Sequence, residues 1–294
     1  MAKSENRRKA LKNIIAGTAA LSAGSMFSSL SRGKETPPFL LKGNVNHSVC
    51  RWCFSQLSVE DLCIASKDMG LKAIDLVGPK DWPTLQKYGL ESSMCNGAEI
   101  NLVNGFNDKQ YHSTLLKNYS EMIPRVAKAG YKNLICFSGN RAGKDDETGL
   151  ANSTEGLKQL MALAEEHKVT LVMELLNSKI DHKDYQCDKT PWGVELVKRV
   201  GSDNFKLLYD IYHMQIDEGD VIRTIKNNHQ YFAHYHTAGV PGRHELDELQ
   251  ELNYPAIMKA IVATGFKGYV AQEFIPVKAD KLASLRQAVA LCDV

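Results

Sequence analysis

The feature that most constrains the fold of this chain is a series of short apolar runs, four of which end on an ionisable residue. They are Val169–Glu174, Phe205–Asp210, Tyr231–His236 and Gly268–Glu273. Their length and β-rich composition are typical of buried parallel strands. A charged side chain at the end of a buried strand is costly unless it pairs, coordinates or catalyses. Four such ends on consecutive strands therefore predict one shared site.

Four similar runs precede these from Pro37 onward, and amphipathic stretches separate all eight. The earlier predicted strands are Gly43–His47, Lys72–Val77, Leu90–Cys95 and Asn133–Phe137. Eight strands alternating with eight helical segments match the usual (β/α)₈ barrel of roughly 250 residues. A doubly wound open sheet is the alternative, although the chain lacks a Gly-rich turn after the first strand. The prediction is an α/β fold, a single (β/α)₈ TIM barrel.

Capping and turn residues predict where several helices begin and end. The predicted segments are Val59–Met69 after Ser58, Tyr111–Lys128, a helix from Ser153 to His167, Pro191 to about Val200, Pro255 to about Gly265, and one after Asp280. The longest connections without helical periodicity follow the third, fourth, fifth and seventh strands. In a barrel these connections lie on the catalytic face.

The head of the chain differs in charge from the rest. Residues 1–36 carry seven basic and two acidic residues, a net charge of +5. Arg7 and Arg8 precede the apolar, Ala-, Gly- and Ser-rich segment Ile14–Leu30, which is the layout of an export signal. It resembles a twin-arginine signal, although Asn6 and Ala10 replace the usual Ser/Thr and Phe. A disordered basic tail and a short membrane-spanning helix are the alternatives.

The predicted division is therefore 1–36, a twin-arginine export signal and linker that engages the export machinery, and 37–294, a catalytic barrel. This predicts a periplasmic or exported protein, and a cytoplasmic one if the signal interpretation fails. Residues 37–294 carry 29 basic and 32 acidic residues. This slightly acidic balance argues against wide contact with a nucleic-acid backbone. The expected partner is a small-molecule substrate, with no nucleic acid.

One cysteine pair, Cys50 and Cys53, has the spacing of a redox motif within a set of seven cysteines. It follows a predicted strand instead of opening a helix, and one CxxC motif is weak evidence for redox catalysis. An oxidising periplasm could close it into a disulfide.

The four strand-end residues Glu174, Asp210, His236 and Glu273 form the candidate site. Their separations of 36, 26 and 37 residues each fit one α/β unit of a barrel. Consecutive strand ends meet at one mouth of such a barrel. Three carboxylates and one imidazole suit a divalent cation. The alternative is four separate salt bridges or helix caps.

The pattern Glu…Asp-x-x-His…His…Glu on the last four strands resembles the xylose-isomerase-like barrels, which include ketose 3-epimerases and hydroxypyruvate isomerases. The Asp-x-x-His element falls on Asp210 and His213. The string from His236 to Asp247 (His-Thr-Ala-Gly-Val-Pro-Gly-Arg-His-Glu-Leu-Asp), with Leu-Asn-Tyr-Pro at 252–255, is similar to hydroxypyruvate isomerases in particular. The resemblance covers roughly Gly43 to the C-terminus.

The resemblance implies an intramolecular oxidoreductase that isomerises an α-hydroxy carbonyl compound through an enediolate, nominally hydroxypyruvate to tartronate semialdehyde. Glu174 and Glu273 would move the proton and also bind the metal, together with Asp210 and His236. One divalent ion per chain is expected, Mg²⁺ or Mn²⁺, with Zn²⁺ or Co²⁺ as alternatives.

Five further residues are candidates around this centre. His213, Arg243 and Asn177 are the predicted substrate-binding residues, and Arg243 suits a substrate carboxylate because a guanidinium holds it at two points. His244 is a weaker candidate, and Trp52 would either line the pocket or belong to the core.

Two departures from the family patterns leave the substrate undetermined. Hydroxypyruvate isomerases often have Gln where His236 stands, which favours a ketose 3-epimerase or another sugar-acid isomerase. Ile180 stands where the epimerases usually have a sugar-contacting Glu, which disfavours that alternative. More distant alternatives are a DNA-repair enzyme similar to endonuclease IV, which needs more ligands and a basic surface, and a non-catalytic exported barrel.

Overall fold

Eight parallel strands close into a barrel in strict sequence order, in a computed structural model that describes residues 40–294. The predicted export signal at 1–36 lies outside the described residues. The strands are β1 Asn46–Cys50, β2 Ala73–Val77, β3 Glu91–Cys95, β4 Asn133–Cys136, β5 Thr170–Glu174, β6 Phe205–Asp210, β7 Phe232–Thr237 and β8 Tyr269–Gln272. Parallel pairing of β1 with β8 closes the ring, so the predicted (β/α)₈ barrel is confirmed.

Helices follow the strands around the outside. They are α1 Val59–Asp68, α2 Trp82–Lys87, α3 His112–Lys128, α4 Asp146–His167, α5 Thr190–Val200, α6 Ile211–Asp217, α7 Val221–Asn228, α8 Tyr254–Ala263 and α9 Lys281–Cys292. The predicted caps at Ser58 and Asp280 are observed, since each side chain accepts a backbone N–H two residues into its helix. The β6–β7 connection holds both α6 and α7, so the barrel has nine helices among the described residues and not eight.

Two predicted boundaries were wrong by several residues. The first strand is Asn46–Cys50, not Gly43–His47, because its pairing with β8 begins at Asn46. The fourth long helix begins at Asp146, seven residues before the predicted Ser153. Asp145 caps it by accepting the Thr148 N–H at 2.7 Å. Two acidic residues in the first turn favour that start, because they oppose the positive end of the helix dipole.

The strands are buried on both faces, so the apolar core lies inside the barrel and between the strands and helices. None of the helices formed by residues 40–294 is both long and apolar enough to span a bilayer. Cys50 and Cys53 are both buried free thiols. The long connections after β3, β4, β5 and β7 lie at the carboxyl ends of the strands, as predicted.

Candidate metal centre at the mouth of the barrel

The four strand-end residues converge at the carboxyl ends of β5 to β8. Glu174 and Asp210 are the last residues of β5 and β6, His236 lies opposite Asp210 in the β6–β7 register, and Glu273 directly follows β8. One candidate ligand atom from each of the four lies within 4.8 Å of the others. All four side chains are at most 4% exposed. The structure thus brings together the four residues that the sequence singled out.

The imidazole of His236 lies at the centre of this group. Its Nδ1 atom is 2.8 Å from Glu273 Oε2, 3.2 Å from Glu174 Oε1 and 3.9 Å from Asp210 Oδ2. The same ring nitrogen therefore faces all three carboxylates, and the ligand atoms that a cation would need point to one volume.

The opposite edge of the His236 ring contacts a residue that the sequence analysis did not select. His236 Nε2 is 2.9 Å from Asp75 Oδ1, and Asp75 is a fully buried carboxylate on β2. The other Asp75 oxygen accepts the Ser93 hydroxyl at 2.6 Å and lies 2.9 Å from His234 Nε2. The sequence does carry a feature that could have singled out Asp75. This aspartate interrupts the apolar run Lys72–Val77, and a carboxylate is costly to bury without partners.

The two glutamates have different surroundings. Glu273 Oε1 accepts the indole N–H of Trp52 at 2.8 Å, and its Oε2 accepts a guanidinium N–H of Arg243 at 2.5 Å in addition to contacting His236. Within residues 40–294, the Glu174 carboxylate makes one hydrogen bond, at Oε1 to His236. Trp52 is 42% exposed and therefore lines the mouth instead of the core.

His213 and Asn177 form a buried pair beside the carboxylates. The Asn177 side-chain amide donates to His213 Nδ1 at 2.6 Å, which leaves Nε2 as the protonated nitrogen of a neutral ring. This Nε2 lies 3.7 Å from Asp210 Oδ2 and has no hydrogen-bond partner in the described part of the chain. Asn177 is further occupied by Asp181 and by two backbone N–H groups. His213 is thus a donor beside the site, and Asn177 orients it.

Arg243 reaches into the centre from the loop after β7. Its guanidinium lies 5.2 Å from the Trp52 ring centroid and 5.4 Å from that of Tyr212, and its side chain is 14% exposed. Its backbone is in the left-handed region at φ 61°, and its N–H donates to the Gly239 carbonyl. Neighbouring His244 is exposed and pairs through Nδ1 with the Ile275 carbonyl, away from the four carboxylate and imidazole ligands.

Burial and charge together perturb the titration of these groups. Burial raises the pKa of Asp210 to about 8, and burial with the Glu273 charge raises the pKa of Glu174. Burial also opposes ionisation of Glu273, but His236 and Arg243 hold its pKa well below the usual value. His213 has a pKa well below its usual range, because of burial and the charge of Arg243.

This donor set fits a divalent cation. Three carboxylates face one imidazole and one guanidinium in a buried volume, so full ionisation of the carboxylates leaves excess negative charge there. Burial raises the pKa values of Asp210 and Glu174, and the charge of Glu273 adds to the rise. A cation of charge +2 would remove the excess negative charge, and oxygen with imidazole ligands suits several such ions.

The comparisons with known proteins identify the family of this barrel. Residues 83–291 match the family model of the xylose isomerase-like TIM barrel. Because this match covers more than half of the chain, the chain belongs to that family. The sequence is 37% identical over 108 residues to a 2-oxo-tetronate isomerase of Cupriavidus necator, covering 37% of this chain and 41% of the relative. It is 30% identical over 154 residues to a hydroxypyruvate isomerase of Escherichia coli, covering 52% and 59%.

The chain thus spans about half the length of these two curated relatives. Among solved structures, it is similar to an AP endonuclease, family 2, of Brucella melitensis, with a TM-score of 0.73, 22% identity and coverage of 82% of this chain and 97% of the other. At that identity the likeness concerns the fold alone.

Proposed function

We propose that this member of the xylose isomerase-like TIM barrel family is a metal-dependent isomerase of a small α-hydroxy carbonyl acid, such as hydroxypyruvate or a 2-oxo-tetronate. The observation that carries the proposal is the convergence of Glu174, Asp210, His236 and Glu273 within 4.8 Å at the barrel mouth. The isomerase names of the two curated relatives support the same reaction class.

In this proposal the four residues hold one divalent ion, Mg²⁺ or Mn²⁺, with Zn²⁺ or Co²⁺ as alternatives. When bound, the ion would polarise the substrate carbonyl and stabilise negative charge that develops on oxygen. Its charge would also favour the ionised forms of Glu174 and Asp210, whose pKa values burial raises.

The two glutamates carry the proton transfer. One carboxylate removes a proton from the substrate carbon that bears the hydroxyl group, which gives an enediolate, and the other delivers a proton to the neighbouring carbon. The hydroxyl proton moves to the former carbonyl oxygen, so the two carbons exchange their oxidation states. Glu174 has one hydrogen-bonded oxygen among the described residues, whereas Glu273 has both oxygens engaged. Arg243 would therefore leave Glu273 when an acidic substrate binds, and its guanidinium would hold the substrate carboxylate at two points.

His213 supplies a further hydrogen-bond donor to the substrate. Its Nε2–H is the free donor of a buried neutral ring, because Asn177 engages Nδ1. In the proposed complex this N–H binds a substrate oxygen, while Asn177 fixes the ring. Export through the N-terminal segment and a periplasmic location stay predictions, since that segment lies outside the described residues.

A ketose 3-epimerase is the second candidate, and His236 as the fourth ligand favours it. Ile180 opposes it, because this residue is 65% exposed beside Asn177 and offers a sugar hydroxyl no partner. A DNA-repair activity would need a wide basic surface, and the acidic balance of residues 37–294 is unfavourable for one.

The proposal is tested with the full chain, loaded with Mn²⁺ and incubated in deuterated water with hydroxypyruvate, a 2-oxo-tetronate and several ketoses. We expect solvent deuterium at one carbon of an acid substrate, lost after chelation. Glu273→Gln should reduce the rate by about 10²–10⁴-fold, the usual value of a positioned acid or base. The matched control is Glu245→Gln, because Glu245 is equally buried in the neighbouring loop but binds backbone N–H groups.

Exchange only in a ketose would replace the acid isomerase with the epimerase. Failure to bind Mn²⁺, Mg²⁺, Zn²⁺ or Co²⁺ would remove the metal centre itself. Equal rates in Glu273→Gln and the wild type would contradict the assigned role of Glu273.

A further inference from the structure

A second buried polar group lies directly behind the candidate metal centre. It consists of Asp75, Ser93, His234 and His236, and all four side chains are at most 1% exposed. His236 belongs to both groups and separates them, with Nδ1 facing the three carboxylates and Nε2 facing Asp75.

The contacts of Asp75 are those of an ionised carboxylate, with two hydrogen-bond donors and one further nitrogen nearby. Oδ1 lies 2.9 Å from His236 Nε2, while Oδ2 accepts the Ser93 hydroxyl at 2.6 Å and lies 2.9 Å from His234 Nε2. A buried carboxylate without donors would be strongly unfavourable. These donors come from β3 and β7, so Asp75 is held from two sides of the barrel.

Both ring nitrogens of His236 face carboxylates, so a cation that binds Nδ1 would replace the proton there, whereas the contact with Asp75 keeps the proton on Nε2. A carboxylate at Nε2 requires a proton on that nitrogen, and a neutral imidazole with Nε2–H has its lone pair on Nδ1. Nδ1 is the atom that lies 2.8–3.9 Å from Glu273, Glu174 and Asp210. A carboxylate behind a metal-binding histidine fixes its tautomer and ring orientation and raises its basicity.

We infer that Asp75 is a positioning residue, which acts through His236 so that Nδ1 and not Nε2 binds the divalent ion. Ser93 orients Asp75 in turn through its hydrogen bond, and His234 packs against the same carboxylate oxygen. This inference rests on the proposed metal centre. It adds a requirement for a residue on β2, which is not one of the four proposed ligands.

A second cation at Asp75, His234 and His236 is the competing interpretation, since these three also offer ligand atoms close together. The contacts favour hydrogen bonding instead. Each Asp75 oxygen already lies 2.6–2.9 Å from a donor, and the Ser93 hydroxyl directs its proton at this carboxylate. One ion per chain is therefore expected, not two.

The test measures metal binding without any substrate. Full-length wild type, Asp75→Asn and Ser93→Ala are stripped with a chelator and titrated with Zn²⁺ by calorimetry. We expect Asp75→Asn to weaken the Kd by about 10–100-fold, the usual effect of losing such a partner. Ser93→Ala keeps the carboxylate and should weaken the Kd less, so it still reports on Asp75 if Asp75→Asn does not fold.

The matched control is Asp293→Asn, because Asp293 is also a buried aspartate beside a histidine but lies at the other end of the barrel. It should lower the melting temperature and leave the Kd unchanged. In the Zn²⁺-loaded wild type labelled with ¹⁵N-histidine, we expect the His236 signals of a protonated Nε2 and an unprotonated, metal-bound Nδ1.

The outcomes separate the inference from the proposed function. If the wild type binds no metal, the metal centre is wrong and the role of Asp75 falls with it. If the wild type binds one ion but Asp75→Asn and Ser93→Ala bind it equally well, or Nε2 carries the metal, only the inference is wrong. Two ions per chain would assign the second group to a cation.

Discussion

Two buried histidine–aspartate pairs lie at opposite ends of the barrel and behave in opposite ways. At the mouth, His236 contacts Asp75 and faces three further carboxylates, and these charges outweigh burial and raise its pKa well above the usual value. At the amino end, which we call the floor, His47 lies 3.6 Å from Asp293 alone. Burial there outweighs the one aspartate and lowers the pKa of His47 to about 4.

The difference teaches that residue type alone does not decide the charge of a buried histidine. At the floor, Asp293 is already engaged by the backbone N–H of Lys42, and both His47 ring nitrogens lack a hydrogen-bond partner among residues 40–294. At the mouth, the carboxylates outnumber the positively charged side chains that face them. The mouth therefore favours a protonated His236, whereas the floor favours a neutral His47.

The largest effect that would test this comparison is a loss of folding stability at acidic pH, caused by His47 at the floor. The folded-state pKa of His47, about 4, lies below the ordinary 6.5, so the unfolded chain binds the proton more readily. This contribution to stability is complete above pH 6.5 and is lost as the pH falls towards 4. The pKa difference corresponds to about 3 kcal/mol.

Urea unfolding at pH 7 and pH 4.5 measures this loss. His47→Gln cannot take up the proton, so its stability should fall less between the two pH values than that of the wild type. His229→Gln removes an exposed histidine and serves as the control. An equal pH dependence in wild type and His47→Gln would show that the floor does not exclude the charge.

The next effect is stabilisation of the mouth by a cation. A ligand at 100 times its Kd stabilises the folded state by about 2.7 kcal/mol. For a protein of this size, that raises the Tm by about 5–10 °C. Calorimetry with Mn²⁺ and with a chelator should show this shift in the wild type and in His47→Gln.

Glu174→Gln removes one ligand charge at the mouth, so most of the Mn²⁺-dependent shift should disappear in that variant. A shift as large as in the wild type would mean that the ion binds elsewhere.

The smallest effect concerns the rim of the mouth. Trp52→Phe keeps an aromatic face for Arg243 but removes the indole N–H that binds Glu273 at 2.8 Å. The donor, Trp52, is 42% exposed, so losing its hydrogen bond to the charged Glu273 should lower kcat/KM by about tenfold. Steady-state kinetics with the substrate found by deuterium exchange would measure it.

Trp82→Phe is the matched control, because its buried indole N–H donates to the Val77 carbonyl away from the site. It should lower the free energy of unfolding and leave kcat/KM unchanged. Equal kinetic losses in the two variants would remove Trp52 from the site.

Much of this molecule could be predicted from local sequence pattern. Strands with charged ends such as Glu174 and Asp210 are recognisable because apolar runs of strand length carry few ionisable residues. The predicted start of α4 at Ser153 was seven residues too late, because Asp145 and not Ser153 caps the helix. Within that helix Gly149 packs against the buried amide of Gln186, which a larger residue would displace.

The sequence by itself determined the closed parallel barrel and the convergence of four strand-end residues, because both follow from the order and spacing of elements. Only the tertiary structure decided which other side chains contact those four residues. Asp75 meets His236 across 161 positions of chain, and Arg243 meets Trp52 from loops at distant positions. The pKa of each buried group depends on the sum of such neighbours. A local sequence pattern does not show these neighbours, because only the closing of the barrel brings them together.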